Sequence, residues 1–202
     1  MKRKIITLFV LTMTLISLLV YFCNEYLKID ILSYLSNDVD TCDISGFRKA
    51  NAKIDIGVDT KKITRNYYGY TNEYSQLVKV TADKLILQTK EEGIYDGRYC
   101  QDEAKVSGTE KKDYDEGHVI ADSLGGASNA YNITPQKSNV NRKGGKQYEL
   151  EEKFRNILAN GGEITNLNVD IIYDNKVTQT PSKYIFSWVE NGNQRNEEFL
   201  NQ

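Results

Sequence analysis

The sequence predicts an α+β domain with a central antiparallel sheet, set behind an N-terminal helix long enough to cross a bilayer. Three observations carry this expectation. No charged side chain occurs between Lys4 and Glu25. Short runs rich in β-branched and aromatic residues alternate with turn formers through most of the remainder, and residues 147–158 alone switch clearly to helical spacing.

The charge-free run 5–24 follows Lys2, Arg3 and Lys4 and is dominated by Leu, Ile, Val and Phe. About 20 helical residues span a hydrocarbon core, whereas a cleaved signal has a shorter apolar stretch followed by small residues. Here Val20, Tyr21 and Phe22 supply bulk instead. Residues 1–24 therefore read as a signal-anchor, single-pass in the cell membrane, with the basic end in the cytoplasm and the rest extracellular. A cleaved signal peptide is the alternative and would make the protein secreted. Residues 25–45 read as a juxtamembrane spacer and 46–202 as one folded domain, a length that suits a single core.

Strands are expected at 54–58, 77–80 and 85–88, with a turn at 93–97, where Gly93 and Gly97 bracket Ile94-Tyr95-Asp96. In 147–158, Leu150, Phe154, Ile157 and Leu158 fall on one helical face, and Asn160-Gly161-Gly162 supplies a stop. Strand patterning returns at Leu167, Val169 and Ile171 and again at 184–189, before Asn191-Gly192, which predicts a closing hairpin.

Three cysteines leave one odd. Cys42 and Cys100 are either a disulfide in an oxidising compartment or two small buried thiols. With Lys2, Arg3 and Lys4 set aside, 23 basic residues face 28 acidic ones, a net charge near −5. That balance excludes a broad basic surface of the kind strong non-specific nucleic-acid binders carry. A polyanionic ligand must be met by a local patch and a metal ion. Lys137, Arg142, Lys143 and Lys146 form such a patch, with Lys153 and Arg155 beyond it, although the same residues equally suit a solvated helix face.

The single histidine, His118, lies in Asp115-Glu116-Gly117-His118. Behind it come Leu124-Gly125-Gly126, then Asn132-Ile133-Thr134-Pro135-Gln136-Lys137-Ser138, and then Asn141. An imidazole is the one side chain ready to take a proton near neutral pH, and a carboxamide oxygen is a hard ligand suited to Mg²⁺. Asp115 to Ala121 reads as a partly buried strand, and Asn141 falls where a helix begins, with Ser138 or Asn139 as its cap and Gly144-Gly145 as an interruption.

These segments resemble the DNA/RNA non-specific endonucleases. The resemblance implies a ββα-metal motif, in which two strands present the histidine and a following helix presents the metal ligand. It implies His118 as the general base, Asn141 as the direct ligand of Mg²⁺ (Mn²⁺ being the other candidate), Glu149 as a partner of a metal-bound water and Asn132 as an orienting residue. A further cation should stabilise the transition state, and Lys153 and Arg155 are the positions to test. The implied substrates are DNA and RNA. Many members carry arginine where this chain has Glu116, which removes a positive charge beside the phosphate and would shift that role to Arg142 or Arg155.

Rival readings remain open at this point. A secreted toxin of identical chemistry differs only in the fate of the N-terminal segment. An extracellular nucleic-acid-binding or DNA-uptake protein, its nuclease site weakened through Glu116, would bind without cutting. A structural envelope protein would make the paired motifs coincidence. A partner inhibitor that shields the producing cell would leave no trace in a single sequence.

Overall fold

The computed structural model describes residues 12, 14–18, 21 and 39–202. Residues 1–38 and 39–202 form separate units. In the first, the described residues are helical and exposed; the expected signal-anchor and most of the spacer lie outside the described residues. Among the described residues, no helix is long and apolar enough to cross a membrane. The second unit takes in residues 39–45 from the segment expected as spacer. Ser128 N–H donates to Thr41 O (2.9 Å), Lys105 N–H donates to Ile44 O (2.9 Å), and a disulfide joins Cys42 to Cys100.

Among the described residues, eight strands run β1 (Lys53–Asp55), β2 (Tyr67–Thr71), β3 (Leu77–Lys84), β4 (Tyr114–His118), β5 (Ile133–Lys137), β6 (Ile164–Ile172), β7 (Lys183–Glu190) and β8 (Asn193–Leu200). Helices α1 (Ser138–Asn141) and α2 (Lys146–Ala159) separate β5 from β6. A six-stranded sheet has the order β1-β2-β3-β6-β7-β8, and β4 pairs with β5 alone; every pairing is antiparallel.

Alternation explains which face of the large sheet is covered. In β7, Tyr184, Phe186 and Trp188 are buried while their neighbours are half-exposed, and β6 buries Leu167, Val169 and Ile171 in the same way. Leu150 and Phe154 of α2 complete this core, with Phe154 edge-to-face on Trp188 at 5.1 Å between centroids. The β7–β8 hairpin turns at Asn191 and Gly192, whose φ values of 48° and 82° are those of a two-residue type I′ turn.

Residues 85–88 depart from expectation. They continue extended past β3 but join no ladder, because their backbone groups find single partners. Leu85 N–H donates to Ile164 O, Ile86 N–H to the Tyr67 hydroxyl and Gln88 N–H to Ser123 O. Strand β2, rich in tyrosine, and strand β5 with its internal proline carry weaker sequence patterns. Pro135 is tolerated because β5 is an edge: Asn201 closes it, donating Nδ2 to Pro135 O (2.9 Å) and accepting from Lys137 N–H (2.8 Å). A Thr134 Oγ1 to Tyr184 hydroxyl bond of 2.8 Å ties β5 to the large sheet.

Candidate active site

The β4–β5 ladder pairs His118 with Ile133 and Asp115 with Gln136, and α1 begins directly after β5. Asp115 fastens the three elements together. It accepts from Ser138 Oγ (2.9 Å), from Asn141 Nδ2 (3.3 Å) and twice from the Arg142 guanidinium (2.7 and 3.0 Å). Burial pushes the Asp115 carboxyl up, but these donors outweigh it and hold the group below the usual carboxylate range. Ser138 therefore does not cap α1, as its position suggested, because its hydroxyl is spent on Asp115. The same bond that anchors Asn141 through its nitrogen leaves its Oδ1 with no donor among the described residues.

His118 ends β4 and is half-buried. Its Nε2 lies 3.3 Å from Ser128 Oγ, and its carbonyl accepts from Gln136 Nε2 (3.2 Å) and Gln147 Nε2 (3.0 Å). Burial, with a smaller contribution from the Arg98 charge, lowers the imidazole pKa to about 4, so the ring is neutral at pH 7. Gly117 makes this packing possible, since a Cβ there would fall 2.2 Å from Gln136 Cδ. Gly117→Ala is therefore expected to cost about 1–3 kcal/mol through overpacking. It should also displace the His118 carbonyl, which urea unfolding and kcat measured on the same preparation would both register.

His118 and Asn141 line one cleft of about 370 Å³, together with Arg98, Glu116, Glu151 and Arg155. Glu103 and Asp122 bring the cleft to four carboxylates against two guanidiniums, an excess of negative charge. Glu151 accepts from Gln147 Nε2 (2.8 Å), and burial raises its pKa to about 7 against that bond and the Arg155 charge. Arg155 is half-buried, its Nη1 3.5 Å from Ser123 Oγ. Arg98 is held by an ion pair with Glu103. Glu116 pairs with Lys105 at 3.3 Å, so its charge is partly answered outside the cleft.

Of the residues expected at the site, the structure brings His118, Asn141 and Arg155 together and leaves four elsewhere. Arg142 is exposed and held by its ion pair with Asp115. Glu149 is exposed and pairs with Lys146 at 3.0 Å. Glu151, two residues on, lines the cleft instead. Lys153 packs over the Trp188 ring at 4.7 Å and faces Glu190. Asn132 is fully buried with both ends of its amide used: Oδ1 accepts Ile120 N–H (2.9 Å) and Nδ2 donates to Ile120 O and Ala127 O (2.8 Å each). It fixes the chain just after His118 without reaching the cleft.

Arg98, Glu151 and Ser128 went unnoticed in the sequence. Glu151 had a signal, since Gln147, Glu151 and Arg155 recur every four residues beside the Leu150–Phe154 stripe. Arg98 and Ser128 sit in loops, where no periodicity marks them.

The family model for the DNA/RNA non-specific endonucleases matches residues 58–189. Type VII secretion system protein EssD of Staphylococcus aureus (strain USA300) is 25% identical over 158 residues, covering 77% of this chain and 24% of EssD. The chain thus spans about a quarter of that relative's length. Among solved structures, NucA from Streptococcus agalactiae with magnesium ion bound aligns with a TM-score of 0.54 at 16% identity, over 74% of this chain and 78% of NucA. NucA with no metal bound gives 0.52 at 15% identity, over 86% and 89%. At these identities the structures speak for the fold. The family match spans well over half of the chain and contains the whole β4–β5–α1 unit with its cleft, and on that ground the protein belongs to the DNA/RNA non-specific endonuclease family and is a nuclease.

Proposed function

We propose that this nuclease hydrolyses DNA and RNA without sequence preference, with His118 as general base and Asn141 as the protein ligand of a divalent cation, Mg²⁺ or Mn²⁺. The observation that carries this reading is the single cleft shared by a neutral imidazole and an unpartnered carboxamide oxygen.

The donor set suits a hard cation. Asn141 Oδ1 would hold it and the Glu151 carboxylate would support its surroundings, both oxygen donors of the kind Mg²⁺ and Mn²⁺ accept. A cleft with more carboxylates than guanidiniums also needs positive charge before a polyanion can enter. When bound, the ion would neutralise charge on the scissile phosphate and the leaving 3′-oxygen. The magnesium bound by NucA supports the same choice of metal.

His118 takes the proton of the attacking water on its free ring nitrogen, while Ser128 steadies the other. Arg98 and Arg155 meet the phosphate oxygens, replacing the arginine expected where Glu116 stands. Asp115 keeps Asn141 aimed into the cleft. Two arginines in the cleft, and a Glu116 already paired with Lys105, favour a working site over a decayed binding protein. The 5–24 run and the likeness to EssD, a secretion system protein, support work outside the cell, anchored or released.

The plasmid assay tests this directly. The full chain should degrade supercoiled DNA with Mg²⁺, stop on adding a chelator and resume on restoring the metal, whereas cleavage unaffected by chelation would reject the metal role. The pH dependence follows from the shifted imidazole. A base with its pKa lowered to about 4 is active above that value, so at saturating metal kcat should fall only as pH drops through about 4. Because Glu151 in the same cleft has its pKa raised to about 7, the test is run in Glu151→Gln as well, and a limb near the ordinary histidine value that persists there would contradict the neutral ring.

A further inference from the structure

Beside the cleft stands a short hairpin whose outer aromatic residue has no structural duty. Tyr95 and Arg98 form a bridge, exchanging both backbone bonds (Tyr95 N–H to Arg98 O, 2.8 Å; Arg98 N–H to Tyr95 O, 3.0 Å). Asp96 and Gly97 make the turn, with φ values of 51° and 89°. Directly opposed residues of an antiparallel pair project from the same face. Tyr95 therefore shares its face with Arg98, which lines the cleft.

The Tyr95 ring is 46% exposed, and its side chain has no hydrogen-bond, ring or ionic partner among the described residues. The base of the hairpin, by contrast, is firmly held. The Tyr99 hydroxyl donates to Glu92 (2.5 Å), Glu92 pairs with the buried Arg65 (2.9 Å), and Tyr99 N–H donates to Asp122 Oδ1 (3.0 Å). The disulfide at Cys100 fixes the following residue. An exposed aromatic ring on an anchored turn loses little entropy on binding a flat partner.

Resting on the nuclease reading, we propose that Tyr95 is a base-stacking residue. With Arg98 on the phosphate, the neighbouring ring takes the face of an unpaired base, so the enzyme grips single-stranded or locally opened nucleic acid more tightly than closed duplex. Stacking needs no particular base, because every base offers a π-face, and so it leaves sequence preference low. In a closed duplex the bases already stack on each other and the ring has nothing to take.

The test uses the full chain carrying His118→Ala, so that substrate stays intact with Mg²⁺ present, and fluorescence anisotropy with a labelled twelve-nucleotide DNA, the same strand in duplex form and an abasic strand. Tyr95→Ala should weaken single-strand binding about tenfold, Tyr95→Trp should restore it, and duplex and abasic binding should change less than twofold. Equal losses on all three ligands would mean a backbone contact and overturn the stacking role, as would no loss on any. If the His118→Ala parent binds no nucleic acid at all, the cleft is not a substrate site and the stacking role falls with it. Binding by the parent with an indifferent Tyr95 removes the stacking role alone.

Discussion

His118→Ala is expected to lower kcat about a thousandfold with little change in KM, as removal of a general base usually costs 10²–10⁴. The expectation rests on how the ring is held. Its backbone is gripped by two glutamine side chains at the carbonyl, its Nε2 by Ser128, and its burial keeps it unprotonated at pH 7. Glu151 is the rival proton acceptor in the cleft, because burial raises its pKa to about 7. The two roles separate in kinetics. If Glu151 supports the cation, Glu151→Gln weakens metal activation, and saturating Mg²⁺ recovers much of the rate, whereas no metal concentration rescues His118→Ala. Near-wild-type kcat in His118→Ala would hand the base to Glu151.

Loss of the Cys42–Cys100 disulfide has the second large effect. The bridge spans 58 residues of chain. Loop closure on that scale restricts the unfolded ensemble by about 4 kcal/mol, a shift of about a thousandfold in the folding equilibrium. The bridge also holds parts of the active site. Thr41, beside Cys42, accepts the backbone N–H of Ser128, whose hydroxyl meets His118. Arg98 lies two residues before Cys100. Reduction, or Cys42→Ser with Cys100→Ser, should therefore lower Tm by roughly 10 °C and lower kcat at temperatures where the domain is still folded. Urea unfolding with and without reductant measures the first, and single-turnover cleavage the second. An unchanged midpoint would show that packing alone holds residues 39–45 in place.

Where the hydrophobic period was strong, the fold was legible. Helix α2 (Lys146–Ala159), strands β6 and β7 and the Asn191-Gly192 hairpin lie where alternation and turn chemistry put them. Residues 85–88 misled because they are apolar and extended, yet their hydrogen bonds go to scattered partners that local sequence does not reveal. The site divides in the same way. His118 and Asn141 sit in a compact motif, whereas choosing Glu151 over Glu149 depends on the turn of α2 after Gly144-Gly145, a rotation that spacing from Asn141 does not specify. Asn132 illustrates a further limit, since a side chain that clamps backbone and one that faces substrate look alike until their partners are known.

Arg98 depends on tertiary structure most of all. It reaches the cleft through the Arg65–Glu92–Tyr99 chain and the disulfide, a route of buried polar contacts between segments far apart in sequence. Net charge pointed the other way, toward a protein with little to offer a polyanion. The cleft nevertheless gathers two guanidiniums, Arg98 and Arg155, among its four carboxylates, a local grouping that net charge does not reveal.

His118 and Asn141 facing one divalent-ion site can be seen by anomalous diffraction from crystals of the protein grown with Mn²⁺. One strong peak is expected in the cleft, about 2 Å from Asn141 Oδ1, with His118 on the same cavity and not bonded to the metal. A peak elsewhere, with Asn141 turned away from it, would rule out the shared site.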